Sequence, residues 1–397
     1  MIENCELKIE NYMYLKQLSL QNFRSYAKAH YTFDPQLTVV VGLNASGKTN
    51  LVEAIGILST GKSFRTGKEL QMVAFEKQVA RIEGVIYPSL RATEERGNLT
   101  EEGIASSQVP RNDANLEDEK IEITFALSQT GFLQKRYLIN GVSKRRSSLT
   151  GLLPTVLFTP LDLDIVSGQP GSKRRFLDEI LEQTDQDYAK ALITYQKALR
   201  QRNALLEVVQ ATGRRDTDRF AYWDNLLITN GQLITEKREA FIRYINLFEK
   251  HLFPFTLVYD KSLMSQERLL QYQTAEVGSG MTLVGPQRDD IVIQSMHPVS
   301  REFEDVKYFC SRGQQRLVTL ELKNAQISYL QEQLQVQPLL VLDDIFSELD
   351  SAHISYVLQM THDYQTIITT THKEFLAADM GKVNAVIELG ERLKNED

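Results

Sequence analysis

The feature that most constrains this chain is a short apolar segment that runs into a glycine-rich loop and then into a helix-forming stretch. The valines at 39–41 precede the pattern G-x-x-x-x-G-K-T, and the helix-forming residues 51–58 follow it. Glycines let the backbone turn tightly and bring its N–H groups close to phosphate oxygens. The lysine of such a loop reaches the β- and γ-phosphates, and the threonine hydroxyl ligates Mg²⁺. The sequence therefore predicts a strand, a phosphate-binding loop and a helix that bind ATP or GTP, with these nucleotide-binding residues: Gly42, Leu43, Asn44, Ala45, Ser46, Gly47, Lys48, Thr49 and Asn50.

A second apolar segment ends in two carboxylates. Residues 338–342 read as a buried strand, and Asp343 and Asp344 follow it directly. In nucleotidases with a phosphate-binding loop, the first such carboxylate holds Mg²⁺ beside the loop threonine, so Asp343 and Thr49 are predicted metal ligands. Asp344 is predicted to activate the attacking water, with Lys48 as the second catalytic residue. The plain alternative is that a parallel strand simply ends in aspartate at the surface.

A third segment, S-x-G-Q-x-R, stands before the helical stretch 317–334. It resembles the signature motif of ABC-type ATPases. That resemblance implies that Ser311, Gly313 and Gln314 contact the γ-phosphate held by the phosphate-binding loop of a second molecule. The plain alternative is that Ser311 caps the helix, and both roles use the same N–H groups.

Two later segments complete the same pattern. Ser347 and Asp350 lie in a stretch that resembles the D-loop of these ATPases, and His372 follows an apolar strand at the place of their switch histidine. The elements occur in the order that an ABC-type head requires. The predicted fold class is therefore α/β: an ABC-type P-loop ATPase head with an inserted helical, short coiled-coil-like lobe.

Several segments that flank these motifs carry a family resemblance, namely residues 13–26, 62–65, 151–154, 168–178, 198–203 and 282–290. They resemble the RecF family of bacterial recombinational-repair ATPases. The resemblance implies a weak ATPase, with ATP and Mg²⁺ as cofactors, that acts in DNA replication, recombination, repair of DNA damage and the SOS response. It also implies an ATP-dependent homodimer that clamps single- or double-stranded DNA or junctions, and recruits RecR and RecO to load recombinase.

The chain departs from the family pattern at four places. Residues 1–12 precede the usual start, and Gln287 stands where the family commonly has histidine. The loop after the strand 155–158 contains no glutamine, so no Q-loop residue is assigned there. Residues 88–120 resemble an insertion, and their polar composition predicts a mobile loop.

The domain organisation follows from the change in periodicity. Residues 171–253 contain no proline, and Phe220, Leu227, Ile234 and Phe241 recur every seven residues beyond a break at Gly213. Two helices of about 35 residues would each be roughly 50 Å long. The predicted organisation is an extension at 1–12, the first part of the head at 13–165, a helical lobe at 166–274 and the second part of the head at 275–397.

The net charge of −7 argues against nucleic-acid binding on composition alone, so any DNA contact must come from local basic clusters. Asn140 and Gly141 predict a hairpin turn, and its second strand carries one such cluster. The plain alternative for these clusters is a solvated basic surface. A further basic pair, residues 214–215, follows Gly213. The candidate DNA-binding residues are Lys144, Arg145, Arg146, Lys173, Arg174 and Arg175.

Composition places the chain among cytoplasmic proteins. The two cysteines, Cys5 and Cys310, cannot form a disulfide framework, which fits a reducing compartment. No apolar run approaches the ~18 residues of a membrane span, and no signal peptide is apparent. Two alternatives stay open, namely the ATP-binding subunit of a membrane transporter and a nucleotide-gated protein scaffold that does not bind DNA.

Overall fold

The computed structural model describes residues 13–65, 69–87, 118–128, 131–345, 351–371 and 383–390. The described residues form two compact units. The first unit comprises the described residues up to Pro160 and from Leu330 onward, and the second is Leu161–Tyr329. Within the described ranges, no helix is both long enough and apolar enough to cross a membrane.

The first unit is mainly β-structure. Its elements in chain order are β1 Tyr14–Phe23, β2 Tyr26–Thr32, β3 Leu37–Gly42, α1 Lys48–Thr60, β4 Val79–Tyr87, β5 Glu119–Leu127, β6 Leu133–Ile139, β7 Val142–Lys144 and β8 Thr155–Phe158, followed after the second unit by β12 Leu339–Asp343, α10 Ser351–Met360, β13 Thr366–Thr370 and β14 Ala385–Leu389.

The second unit is mainly helical. It contains α2 Leu163–Ser167, α3 Pro170–Thr184, α4 Gln186–Thr212, α5 Thr217–Leu247, β9 Thr256–Asp260, α6 Gln266–Gln271, α7 Gln273–Ser279, β10 Asp290–Met296, β11 Phe303–Asp305, α8 Val306–Phe309 and most of α9, Arg312–Leu334.

A parallel five-stranded sheet carries the predicted nucleotide site. Its strand order is β14-β3-β13-β12-β8. Every residue of β3, β12 and β13 is buried, which explains why these strands read as continuous apolar runs in the sequence. Because all strands are parallel, the loop after β3 and the carboxylates after β12 emerge at the same edge of the sheet.

An antiparallel six-stranded sheet forms the second layer of this unit. Its order is β2-β1-β4-β5-β6-β7. Burial alternates along most of β5, as expected of a strand with one buried face. Helix α1 contacts strands of both sheets and is apolar around nearly its whole circumference, so it is buried in their common core. Since β5 begins at Glu119, the last two residues of the predicted insertion belong to a strand; residues 88–117 and the extension 1–12 lie outside the described residues.

The second unit is built on the long pair α4 and α5. Gly213, with a φ of 68°, ends α4 as the sequence predicts. The heptad positions Phe220, Leu227, Ile234 and Phe241 are all buried. Asp185 divides the predicted first helix, because its carboxylate accepts hydrogen bonds from Asp187 N and Tyr188 N and starts α4 there. The two helices have 27 and 31 residues, shorter than expected.

The predicted domain boundary at residue 275 requires correction. Strand β10 pairs with β9 and β11 in a three-stranded sheet of order β11-β10-β9. Ile291 and Ile293 of β10 share one apolar core with the helices of the second unit, as does Val318 of α9. The structure therefore returns to the first unit at Leu330. This strand pairing is long-range, and the sequence periodicity carried no signal of it.

Candidate nucleotide site

The loop between β3 and α1 has the backbone that a phosphate cradle requires. Gly47 has a φ of 109° and Ala45 a φ of 67°, and Ser46 N donates to Leu43 O over 3.1 Å. A Cβ on Gly42 would lie 2.4 Å from Ser46 Oγ, so only glycine fits there without a shift. Gly47 precedes α1, and among the described residues no side chain caps that helix. The first N–H groups of α1 are thus left for an anion.

Lys48 lies within this loop rather than pointing into solvent. Its side chain is buried, and Nζ donates to Gly42 O over 2.7 Å and to Leu43 O over 3.0 Å. Burial lowers the pKa of Lys48, while the charges of Asp344 and Asp343 raise it. Ser46 Oγ is buried without a hydrogen-bond partner among the described residues. A buried cation and an unsatisfied hydroxyl in one turn fit a polyphosphate group.

The structure brings the two predicted metal ligands together. Asp343, at the end of β12, is 2% exposed. Its carboxylate accepts a hydrogen bond from Thr369 Oγ1 over 2.7 Å and one from the Thr49 hydroxyl. Burial raises the pKa of Asp343 and the neighbouring Asp344 charge raises it further, whereas the two hydroxyl bonds and Lys48 lower it.

The protein ligands at this point make only part of a metal shell. Within the described ranges, no group of three or more His, Cys, Asp or Glu side chains could hold a metal ion. One carboxylate and one hydroxyl suit Mg²⁺ that retains water and phosphate oxygens as its other ligands. The pair Thr49 and Asp343 therefore fits a nucleotide-bound Mg²⁺ rather than a resident structural metal.

Asp344 has an unusual backbone conformation. Its φ is 50°, in the left-handed region that few non-glycine residues adopt. Its N–H donates to Thr369 O over 3.1 Å and to Thr369 Oγ1 over 3.2 Å. Thr369 of β13 thus contacts both carboxylate residues. The sequence analysis did not identify it, and its only signal was a polar residue near the end of an apolar strand.

The buried carboxylate of Glu53 on α1 accepts hydrogen bonds from two of the segments that resemble the RecF family, residues 13–26 and 62–65. Glu53 is fully buried. It accepts hydrogen bonds from Arg24 Nε over 3.0 Å and Arg24 Nη2 over 2.6 Å, from Ser63 Oγ over 2.6 Å, and from Arg65 Nη1 over 3.4 Å. Sequence reasoning missed Glu53, whose signal was a single acid in an otherwise apolar buried helix.

Asn50 links the same motifs to the first turn of α1. Its Nδ2 donates to Ser25 Oγ over 2.7 Å, and its Oδ1 accepts from Arg65 Nη1 over 2.8 Å. A cleft of about 590 Å³ opens beside these groups. Exposed Phe75 and Leu70 border it together with Arg24. The predicted nucleotide residue Asn50 therefore lies between the phosphate loop and a cleft with both polar and apolar walls.

The predicted signature residues form a capped helix start in the second unit. Ser311 Oγ accepts from Gln314 N over 3.3 Å, and Gln314 Oε1 accepts from Ser311 N over 2.9 Å. This reciprocal pair is a capping box, so the plain alternative of an N-cap is confirmed. Ser311, Gly313 and Gln314 are all exposed, which leaves them accessible to another molecule.

Gln315 stabilises the segment that precedes α9 and ends at Ser311. It is buried, and its Nε2 donates to Lys307 O over 3.0 Å, to Cys310 O over 3.2 Å and to Val306 O over 3.3 Å. The sequence analysis had assigned no role to it. The predicted D-loop residues Ser347 and Asp350 and the switch residue His372 lie outside the described residues.

Two of the three candidate DNA-binding residues at the predicted hairpin are exposed. Asn140 and Gly141 both have positive φ and join β6 to β7, as the sequence predicts. Lys144 and Arg145 are exposed. Arg146 instead turns inward, and its Nη1 donates to Thr60 O over 3.2 Å at the C-terminal end of α1. A cation at this position interacts favourably with the helix dipole, so Arg146 stabilises the C-terminal end of α1.

The second basic cluster requires a larger correction. Lys173 is buried and its Nζ lies 3.5 Å from Asp290 Oδ1. Arg174 Nη1 donates to Asp289 O over 2.6 Å, and burial lowers the pKa of Arg174. Both cations therefore hold α3 to residues 289–290 at the start of β10. Lys173 is buried and is not displayed to DNA, whereas Arg174 is only partly buried. Arg175 is exposed.

Gln287, which departs from the family pattern, belongs to a buried network near this cluster. It accepts a short hydrogen bond from the Tyr195 hydroxyl, and its Nε2 donates to Val284 O over 2.8 Å. Arg238 nearby pairs with Asp289 and Asp178. These contacts give Gln287 a packing role within the second unit.

Comparisons with known proteins agree with the motifs over nearly the whole chain. Residues 14–392 match the family described as the RecF/RecN/SMC N terminal domain. The DNA replication and repair protein RecF of Moorella thermoacetica is 35% identical, over 92% of this chain and 91% of its own length. The protein of that name from Oceanobacillus iheyensis is 30% identical, over 91% and 94%. A solved structure of the recombination mediator protein RecF-ATP in the RecFOR pathway has a TM-score of 0.76 at 27% identity, covering 93% of this chain and 94% of the other.

Proposed function

Because this chain belongs to the RecF family of ABC-type ATPases, whose α/β head with an inserted helical lobe was predicted from the sequence, we propose that it is an ATP-dependent DNA-binding protein of replication and recombinational repair. The observation that carries the proposal is the convergence of Lys48, Thr49 and Asp343 at one edge of the parallel sheet. Lys48 would supply a cation for the phosphates of ATP, and Thr49 and Asp343 would supply oxygen ligands for its Mg²⁺.

Lys48 gives the site its cation. Its ammonium donates to two loop carbonyls in this structure and would exchange them for phosphate oxygens when ATP binds. The N–H groups around Gly47 would hold the other phosphate oxygens. Thr49 and Asp343 would hold Mg²⁺, which supplies electrophilic stabilisation of the charge that develops during phosphoryl transfer.

Asp344 is the proposed general base. It directly follows Asp343, the proposed metal ligand, and its backbone is in the left-handed region. Aspartate is one methylene shorter than the glutamate commoner at this position, so its contact with water would be longer. Slow hydrolysis follows, and ATP would then time the release of DNA rather than drive a motor.

The signature residues point to a dimer. A second molecule would present its exposed Ser311 and Gly313 to the γ-phosphate, since helix N-termini favour anions. Two molecules stacked head to tail would then enclose two ATP molecules. The ATP-bound relative supports the binding of ATP alone, and the loop geometry stabilised by Gln315 is compatible with the proposed dimer.

DNA would be clamped by the closed dimer. Lys144 and Arg145 on the hairpin and Arg175 on α3 are the exposed candidates for contacts with DNA phosphates. DNA junctions or gapped duplexes would be the preferred sites, and RecR and RecO the partners that load recombinase in the cytoplasm. The relatives' role in DNA replication and repair supports this assignment.

The decisive experiment measures DNA binding with and without ATP. Fluorescence anisotropy of a gapped duplex, at two salt concentrations, should show affinity that rises with MgATP. Lys48→Met should lose nucleotide binding in calorimetry and the ATP-dependent part of DNA binding together. If wild-type protein binds DNA equally in both conditions, the clamp is wrong, and if it binds no DNA at all, the nucleotide-gated scaffold replaces it.

A further inference from the structure

The free end of the helical hairpin in the second unit carries a cleft that the proposed ATPase function does not use. Helix α4 ends at Gly213, and α5 begins after Asp216, whose carboxylate accepts a hydrogen bond from Arg219 N. Both helix ends are therefore capped, and the connection between them is short. A cleft of about 620 Å³ lies at this end, hereafter the tip cleft, and its lining includes Leu205, Val208, Phe220, Arg214, Arg215 and Arg219.

One wall of the tip cleft is apolar. Leu205 and Phe220 belong to a small buried cluster that closes this end of the hairpin. Val208 lies on the same helix as Leu205 but is 52% exposed. Covering an exposed branched side chain beside a buried apolar cluster removes apolar area from water, so this wall favours the binding of an apolar group.

The other wall is cationic, and one of its donors lacks an acceptor. The guanidinium of Arg215 stacks on the Phe220 ring, with Cζ 3.9 Å from the ring centroid. Its Nη1 is buried and has no hydrogen-bond partner among the described residues. Burial lowers the pKa of Arg215 and the charge of Arg202 lowers it further, whereas the charges of Asp224 and Glu276 raise it. A guanidinium nevertheless stays charged in proteins, so the buried donor is left unsatisfied.

The carboxylates near Arg215 are already engaged. Asp224 Oδ1 lies 2.6 Å from Arg202 Nε, and Glu276 Oε2 lies 2.7 Å from Arg202 Nη2. Asp216 lines the cleft but caps α5. The three arginines of the tip cleft thus outnumber its one carboxylate, and the excess charge is positive.

We propose that the tip cleft binds an acidic peptide segment of a partner protein. A carboxylate of the peptide would pair with the guanidinium of Arg215, and an adjacent apolar side chain would cover Val208. The apolar wall favours a peptide over nucleic acid, because a phosphate backbone offers nothing to cover it. Acidic segments with apolar neighbours are a recurring class recognised by arginine clusters.

The test uses the full-length protein on an array of random peptides roughly eight residues long. Wild type is compared with Arg215→Gln, Val208→Asp and the control Lys197→Gln, which removes an exposed charge from α4 outside the cleft. Peptides with Asp or Glu beside Leu, Ile or Phe should bind wild type and control equally. They should lose about tenfold in affinity with Arg215→Gln, since a charge-assisted hydrogen bond is removed, and should also weaken with Val208→Asp.

Three outcomes would overturn the proposal. The first is an array pattern that Arg215→Gln leaves unchanged. The second is selection of peptides without acidic residues. The third is a labelled single-stranded oligonucleotide that loses affinity with Arg215→Gln while no acidic peptide does, which would make the cleft a nucleic-acid site. Thermal unfolding of each variant checks that it is folded, and Lys48→Met should leave peptide binding unchanged, which separates this result from the nucleotide mechanism.

Discussion

Replacing Asp343 by asparagine should make the protein more stable without nucleotide and less responsive to MgATP. The carboxylate is almost fully buried, and its two hydroxyl bonds and Lys48 do not compensate for that burial, since the pKa of Asp343 is raised. Burying a charge costs several kcal/mol even after relaxation. Asparagine removes that cost and keeps one acceptor oxygen, so the variant forfeits one hydroxyl bond, about 1 kcal/mol.

The expected net effect is a gain of about 1 kcal/mol in the free energy of unfolding, which lies within the usual range of a single stabilising substitution. For a unit of this size, such a gain raises Tm by about 2–4 °C. Differential scanning calorimetry without nucleotide measures it. With MgATP at 100 times its Kd, the wild type should gain about 2.7 kcal/mol, while the variant should lose the part that depends on Mg²⁺.

The pH dependence provides a second check on the cause. A carboxyl group whose folded-state pKa is raised destabilises the folded protein when it ionises, so wild-type stability falls as pH rises through that pKa. The advantage of Asp343→Asn should therefore be largest above this raised pKa and should shrink as the pH falls through it toward the ordinary range of an aspartate. A variant that is less stable than wild type at pH 8 without nucleotide would refute the reasoning, because the hydroxyl bonds from Thr369 and Thr49 would then outweigh the burial.

Three further substitutions test the neighbouring assignments. Asp344→Asn should keep ATP binding and the dimer but slow hydrolysis, and a parental rate in a phosphate-release assay would remove Asp344 from catalysis. Ser311→Arg should bind ATP normally in calorimetry yet fail to dimerise in analytical ultracentrifugation with ATP; a persisting dimer would contradict the head-to-tail arrangement. Glu53→Gln leaves the largely buried Arg24 without its carboxylate, which should cost about 3 kcal/mol. Urea unfolding followed by far-UV circular dichroism measures this cost, and an unchanged midpoint would show that the pair contributes nothing.

The phosphate-binding loop could be located from sequence because its determinants are local. Gly42 to Thr49 lie in one turn between a strand and a helix, and each residue type follows from the conformation or the ligand at its own position. The hairpin at Asn140 and the break at Gly213 were equally local, since positive φ selects those residues directly. The structure confirms the strand, the glycine-containing loop and the helix, and likewise the hairpin and the helix break.

The remaining parts of the site depend on contacts between distant segments. Glu53 acquires its hydrogen-bond partners only in the folded chain, where the segment after β1 supplies Arg24 and the segment after α1 supplies Ser63. Thr369 donates a hydrogen bond to Asp343, which is 26 residues away in the chain, because β13 lies beside β12. Basic residues are the hardest case, because Lys173 and Lys144 look alike in sequence. Only the fold decides that the first pairs inside the second unit while the second is exposed.

The same long-range burial explains why the nucleotide site is electrostatically costly on its own. Burial lowers the pKa of Lys48 and raises that of Asp343, so in both cases it disfavours the charged form. The two residues compensate each other only in part. Phosphate oxygens would stabilise the charged lysine and Mg²⁺ the charged aspartate. Binding of MgATP would therefore offset the cost of burying both charges. Nucleotide binding should accordingly be coupled to the stability of the first unit, and mutations that stabilise this edge of the sheet by removing either charge should do so at the expense of MgATP binding.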